Sequence, residues 1–78
     1  MSKYIAIKFY VSQTHYVTKE WYLNGKLHRE DGPAIEELDG HKEWWISGKL
    51  HREDGPAIER PDGSEEWWKN GMYFVKKK

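Results

Sequence analysis

Lys3 to Val11 alternates well, with a wholly apolar set at every second position. Ile5, Ile7, Phe9 and Val11 fall on one side, and Tyr4, Ala6, Lys8 and Tyr10 on the other. A period of two, carried by β-branched and aromatic residues, predicts a strand with one wholly apolar face. Ser12-Gln13-Thr14-His15 is a polar break of hairpin type, and Tyr16–Leu23 is the second strand, antiparallel to the first. Beyond it the extended runs shorten to Pro33–Leu38, His41–Ile46, Pro56–Arg60, Ser64–Lys69 and Met72–Lys76. Asn24-Gly25, Ser47-Gly48 and Asn70-Gly71 form one turn series, and Asp39-Gly40 and Asp62-Gly63 a second. Pro33 and Pro56 lack an N–H and suit strand starts, whereas Pro61 ends a strand. No apolar 3.6-residue pattern spans three turns, so helix is not expected.

The turns return at a fixed interval because the whole chain does. Gly25–Glu36 reads Gly-Lys-Leu-His-Arg-Glu-Asp-Gly-Pro-Ala-Ile-Glu and recurs unchanged at Gly48–Glu59, an offset of 23 residues. Glu20–Lys42 and Glu43–Glu65 share 16 of 23 positions, and Trp21, Trp44 and Trp67 keep the same phase. A fixed period of this size marks a repeat architecture. The expected fold is all-β: a single elongated, twisted antiparallel meander of hairpin repeats, one hairpin per unit, with no significant helix. One domain spans 1–78. It divides into a capping strand and turn at 1–19, repeats at 20–42 and 43–65, and a partial third repeat with a C-terminal strand and basic tail at 66–78. Lys26–Gly32 is read as a structured corner.

Composition narrows the function. Seventy-eight residues bury little surface, and the absence of cysteine removes disulfides and thiolate chemistry. Five Trp and five Tyr supply the area that a small sheet needs. Thirteen basic residues balance thirteen acidic ones, which argues against a nucleic-acid surface. Lys76-Lys77-Lys78 is read as a solubilising tail. No apolar run approaches membrane-spanning length, so no membrane partner is expected and the location is read as cytoplasmic.

The candidate chemistry lies in two constellations. His28-Arg29-x-Asp31 and His51-Arg52-x-Asp54 are the most polar parts of the unit. Their functional reading is an anion or nucleotide site, with Arg forks as donors and Trp faces for stacking. The structural reading has Asp31 and Asp54 capping turns and Arg29 and Arg52 pairing with Asp or lying on Trp rings; unchanged repetition favours it. A metal site from His28, Asp31, His51 and Asp54 lacks any close pair spacing, so no metal or cofactor is expected. The second constellation is aromatic. Adjacent strand residues point to opposite faces, so Trp21, Trp44 and Trp67 share one face and Tyr22, Trp45 and Trp68 the other. A single sheet cannot cover both, and the Tyr22, Trp45, Trp68 row is read as an interface. Nucleophile-elbow, phosphate-loop and His-Glu-x-x-His signatures are missing, and no enzyme is expected.

Tyr22-Leu23-Asn24-Gly25-Lys26-Leu27-His28 and Trp45-Ile46-Ser47-Gly48-Lys49-Leu50-His51 resemble MORN repeats of the degenerate, MORN-like variety. That family has a 23-residue period and a Trp-x-Asn-Gly-x-x-His-Gly core. Trp68-Lys69-Asn70-Gly71 starts a third copy. Arg29-Glu30-Asp31 and Arg52-Glu53-Asp54 stand where the family has glycines after the His. The His-Arg-x-Asp-Gly-Pro-Ala form looks like a variant of short phage, large DNA virus and bacterial proteins. The resemblance implies scaffolding, protein binding or lipid-headgroup association rather than catalysis. The expected function is a small phage- or virus-type accessory protein that docks an aromatic sheet face on a host defence protein and inhibits it. Binding residues are Tyr22, Trp45, Trp68, His28, Arg29, His51 and Arg52. The alternatives are an oligomeric sponge for a nucleotide-like signalling molecule and a structural scaffold; the partner is a protein, a second copy or a nucleotide-like ligand.

Overall fold

The structure, a computed structural model, describes the backbone at residues 6–11 and 17–75 and side chains from 18 to 75. The expected hairpin connection at Ser12–His15, the first residues of the N-terminal strand and the lysine tail lie outside the described residues. Among the described residues ten strands follow in order: β1 (Ala6–Val11), β2 (Val17–Leu23), β3 (Lys26–Leu27), β4 (Ile35–Glu37), β5 (Lys42–Glu43), β6 (Trp45–Ile46), β7 (Lys49–Leu50), β8 (Ile58–Glu59), β9 (Glu65–Lys69) and β10 (Met72–Phe74). Among the described residues there is no helix.

The fold is an all-β antiparallel meander. Its main sheet runs β1-β2-β4-β5-β8-β9-β10, with β3 paired to β2, and β6 and β7 form a separate two-stranded ribbon. β1 lies along β2 from Ala6 opposite Tyr22 to Val11 opposite Val17.

Each repeat holds two hairpins where the sequence pattern suggested one. The first turns on two residues with positive φ: Asn24 (53°) and Gly25 (77°), Ser47 (50°) and Gly48 (79°), Asn70 (51°) and Gly71 (77°). Positive φ at both central positions is the type I′ condition, which matches the twist of the flanking strands. The second turns on three residues, with Gly40 (104°) and Gly63 (89°) in the left-handed region. There the Asp39 carboxylate accepts the His41 N–H at 2.9 Å, and Asp62 accepts the Ser64 N–H at 2.9 Å. A short acceptor two residues ahead of a free N–H is the reason Asp sits in that turn.

The tryptophans at 21 and 44 mark where the chain passes from one hairpin system to the other. Trp21 N–H donates to Ala34 C=O at 2.9 Å, while its own C=O accepts from His28 N–H at 3.0 Å. Trp44 repeats this with Ala57 at 2.8 Å and His51 at 3.0 Å. The part of each strand before the Trp belongs to the main sheet. The part after it pairs with β3 or β7. The expected strand His41–Ile46 is therefore two strands broken at Trp44.

The two-residue hairpins stack as a second row beside the main sheet. Gly48 N–H donates to Leu27 C=O (2.8 Å) and Arg29 N–H to Trp45 C=O (3.0 Å); Gly71 and Arg52 do the same to Leu50 (2.9 Å) and Trp68 (3.1 Å). The buried centre is small. Ala34 and Ala57 are fully buried and Ile58 nearly so, but no large side chain of the described residues is. The molecule measures 38 × 33 × 17 Å, a slab rather than a sphere.

Candidate functional site: the repeated corner and the aromatic row

The corner between hairpin and sheet uses nearly every residue of the repeated dodecamer. His28 is buried, and its Nδ1 accepts the Ser47 N–H at 2.9 Å. An accepting Nδ1 places the ring proton on Nε2, which donates to Glu30 Oε2 at 3.0 Å. His51 repeats the arrangement with Asn70 N–H (3.0 Å) and Glu53 (2.8 Å). Each His therefore clamps the turn of the next repeat. It intercepts one N–H of the turn, leaving the next N–H to reach the strand carbonyl.

Arg29 lies over the Trp21 ring, with Cζ 4.0 Å from its centroid, and Arg52 over Trp44 at 3.8 Å. Their guanidinium donors are already committed. Arg29 Nε donates to Asp31 (3.1 Å) and a terminal nitrogen to Pro33 C=O (3.2 Å). Arg52 matches it with Asp54 (3.2 Å) and Pro56 C=O (3.1 Å), and each guanidinium also reaches a strand glutamate, Arg29 to Glu36 at 3.5 Å and Arg52 to Glu59 at 2.9 Å. The guanidinium is sandwiched between the ring and a glycine. A Cβ on Gly32 would stand 3.0 Å from Arg29 Cζ, and one on Gly55 2.8 Å from Arg52 Cζ. Neither glycine has positive φ, so space and not backbone freedom selects Gly here. Ala34 and Ala57 then enter the sheet, donating to Glu43 C=O (2.7 Å) and Glu66 C=O (2.8 Å).

Between two successive corners lies an open groove of about 730 Å3, lined by Arg29, Trp44, His51 and Arg52 among others. The structure thus brings three of the predicted site residues together and holds His28 apart, buried beneath the next turn. The rim carries Glu30, Asp31, Glu53 and Asp54, with side chains 49 to 89% exposed. Four carboxylates outnumber two guanidinium groups, both engaged. The field at the mouth therefore disfavours an anion. Among the described residues no group of three His, Cys, Asp or Glu is placed to hold a metal ion.

The aromatic row stands on the hairpins. Tyr22 lies opposite Leu27, Trp45 opposite Leu50 and Trp68 opposite Tyr73. Trp68 and Tyr73 meet edge to face, with centroids 5.4 Å apart. On the other face Trp67 meets Phe74 at 6.3 Å, where Arg29 and Arg52 stand in the earlier units. All three rings of the row are half-buried.

The polar tips of this row are satisfied two residues upstream. Tyr22 Oη donates to Glu20 at 2.5 Å, Trp45 Nε1 to Glu43 at 2.8 Å and Trp68 Nε1 to Glu66 at 2.9 Å. His41 and Arg60 hold the second oxygens of Glu43 (2.7 Å) and Glu66 (2.6 Å). The Arg60 guanidinium, and then the Trp68 N–H, keep the Glu66 carboxyl below its ordinary range. Ser64 N–H does the same for Asp62. These glutamates, at 20, 43 and 66, were legible in the 23-residue period but were not read as partners of the rings. Leu27, Leu50 and Tyr73 were also missed, because cross-strand partners depend on turn register.

No family model matches this chain, and neither a curated protein nor a solved structure does. No helix among the described residues is long and apolar enough to cross a membrane.

Proposed function

We propose that this chain is a non-enzymatic binding protein that docks the Tyr22, Trp45, Trp68 row on a protein partner and blocks it. A small phage- or virus-type accessory protein acting on a host defence protein is the setting that the resemblance of its repeat to MORN-like repeats suggests. The observation that carries the reading is the row itself. Three half-buried rings recur every 23 residues on one face of a slab 17 Å thick, flanked by Leu27, Leu50 and Tyr73. Interfaces concentrate their binding energy in such aromatic anchors. The carboxylates that hold the ring N–H and O–H groups favour the same use. A partner can dehydrate these rings without stranding a polar atom, which would otherwise cost about 1–3 kcal/mol each. A nucleotide-like ligand is less well supported, given the acidic rim of the groove.

The test compares the native protein with Trp45→Ala and Trp68→Ala as baits in host extracts. The expected result is a protein captured by the native chain and lost, by tenfold or more in affinity, from both variants. Their circular dichroism should remain native. Capture that survives both substitutions would move the interface elsewhere. Collapse of both variants would make the rings structural and remove the proposed surface.

A further inference from the structure

In the first two repeats the outer edge of the two-residue hairpin is occupied by the next hairpin, through Leu27 C=O and Arg29 N–H, then Leu50 C=O and Arg52 N–H. β10 is the third member of this series. Tyr73 takes the place of Leu27 and Leu50, and Val75 that of Arg29 and Arg52. Met72 and Phe74 pair inward with Lys69 and Trp67 on either side of Tyr73. Hydrogen-bonding and non-hydrogen-bonding positions alternate along an antiparallel pair. By the geometry of the earlier hairpins, the N–H and C=O of Tyr73 and the N–H of Val75 point away from β9. Among the described residues no strand lies beyond β10.

The composition changes at the same place. Lys26-Leu27-His28-Arg29 and Lys49-Leu50-His51-Arg52 become Met72-Tyr73-Phe74-Val75, so every polar side chain of the edge is replaced by an apolar or aromatic one. All four are exposed, Met72 and Val75 by more than 70%. Edge strands are ordinarily protected by charge, lysine above all. β10 carries no charged residue, while β1 at the opposite edge keeps Lys8 in its middle.

We infer that β10 is a self-pairing edge, and that two copies of this chain join through it, antiparallel, about a two-fold axis at Tyr73. The two Tyr73 residues exchange their N–H···O bonds, and Met72 of each copy faces the partner's Phe74. No residue from Asn70 to Val75 is ionised, so the axis sets no like charges opposite one another. The contact is isologous and closes at the dimer. A four-residue edge buries less than the ~1,200 Å2 of stable complexes, which places dissociation at about micromolar or weaker. This inference uses a different surface from the proposed docking row and does not rest on it.

Sedimentation velocity from about 10 μM to about 1 mM covers that range. It should show a monomer passing to a dimer and stopping there. Amide exchange at Tyr73 and Val75 should slow at the high concentration. M72K/V75R restores the residues that the two preceding repeats carry at these places, and it should remain monomeric throughout with an unchanged circular dichroism spectrum. A native chain monomeric to the top of the range would overturn the inference, as would a variant that dimerises like the native chain. A mass series beyond the dimer would do so too. If the variant fails to fold, the native amides decide. A dimer whose Tyr73 and Val75 exchange as fast as in the monomer pairs elsewhere.

Discussion

Arg52 has an aromatic ring on one side and Gly55 on the other, and this sandwich explains more of the repeat than its ion pairs do. Asp54 is 89% exposed, and an exposed pair contributes about 0–1 kcal/mol. The stack on Trp44 is worth about 0.5–2 kcal/mol and the bond to Pro56 C=O about 1 kcal/mol more. Gly55→Ala should displace the guanidinium, because the clashing atom ends a flexible side chain, and should cost about 1–2 kcal/mol. Asp54→Asn should cost under about 1 kcal/mol. Urea denaturation measures both. In an Arg52→Ala background the cost of Gly55→Ala should nearly vanish, since the two residues share one interaction. An undiminished penalty there would mean that the glycine serves the backbone instead.

At the scale of elements, the His clamp joins hairpins that no ladder joins. β6 and β7 form a ribbon apart from the main sheet, held to their neighbours by a few backbone bonds and by His28 and His51. The two histidines sit in identical dodecamers but in different surroundings. The His28 side chain is 7% exposed and that of His51 15%, and the Asn70 N–H served by His51 is at the surface. His28→Ala should strand the Ser47 N–H and cost about 1–3 kcal/mol, whereas water should replace His51 at under about 1 kcal/mol. Equal losses in thermal unfolding would contradict the difference in burial.

At the scale of the molecule, a slab in which no large side chain of the described residues is fully buried draws its stability from contacts between neighbouring units. Such arrays are firmest in the middle and weakest at the ends. In dilute monomer the Ala34, Trp44 and Ala57 amides, all bonded across the central strands, should exchange slowest. The Met72 and Phe74 amides of the terminal hairpin should exchange fastest among the paired strand amides. Native-state hydrogen exchange reads this gradient directly, and uniform protection would indicate one cooperative core instead of coupled repeats.

The 23-residue period, the two turn series and the absence of helix follow from the sequence alone, because Gly, Asn and Asp declare backbone conformations that depend on near neighbours only. All-β meander architecture was legible for that reason. The Arg and His corner was legible in part: Arg29 and Arg52 lie on Trp rings and pair with Asp as their types suggested, but the side chains that take a turn N–H there are those of His28 and His51, which were not read as caps. What the sequence could not decide was partnership at a distance. That Trp21 and Trp44 divide each repeat into two hairpins depends on which carbonyl meets which N–H across strands. That Gly32 and Gly55 make room for guanidinium groups, and not for a turn, depends on where an arginine three residues upstream folds back. That Tyr22, Trp45 and Trp68 lean on glutamates depends on side chains sharing a face. Local conformation is encoded residue by residue, whereas register and coverage are properties of the assembled sheet.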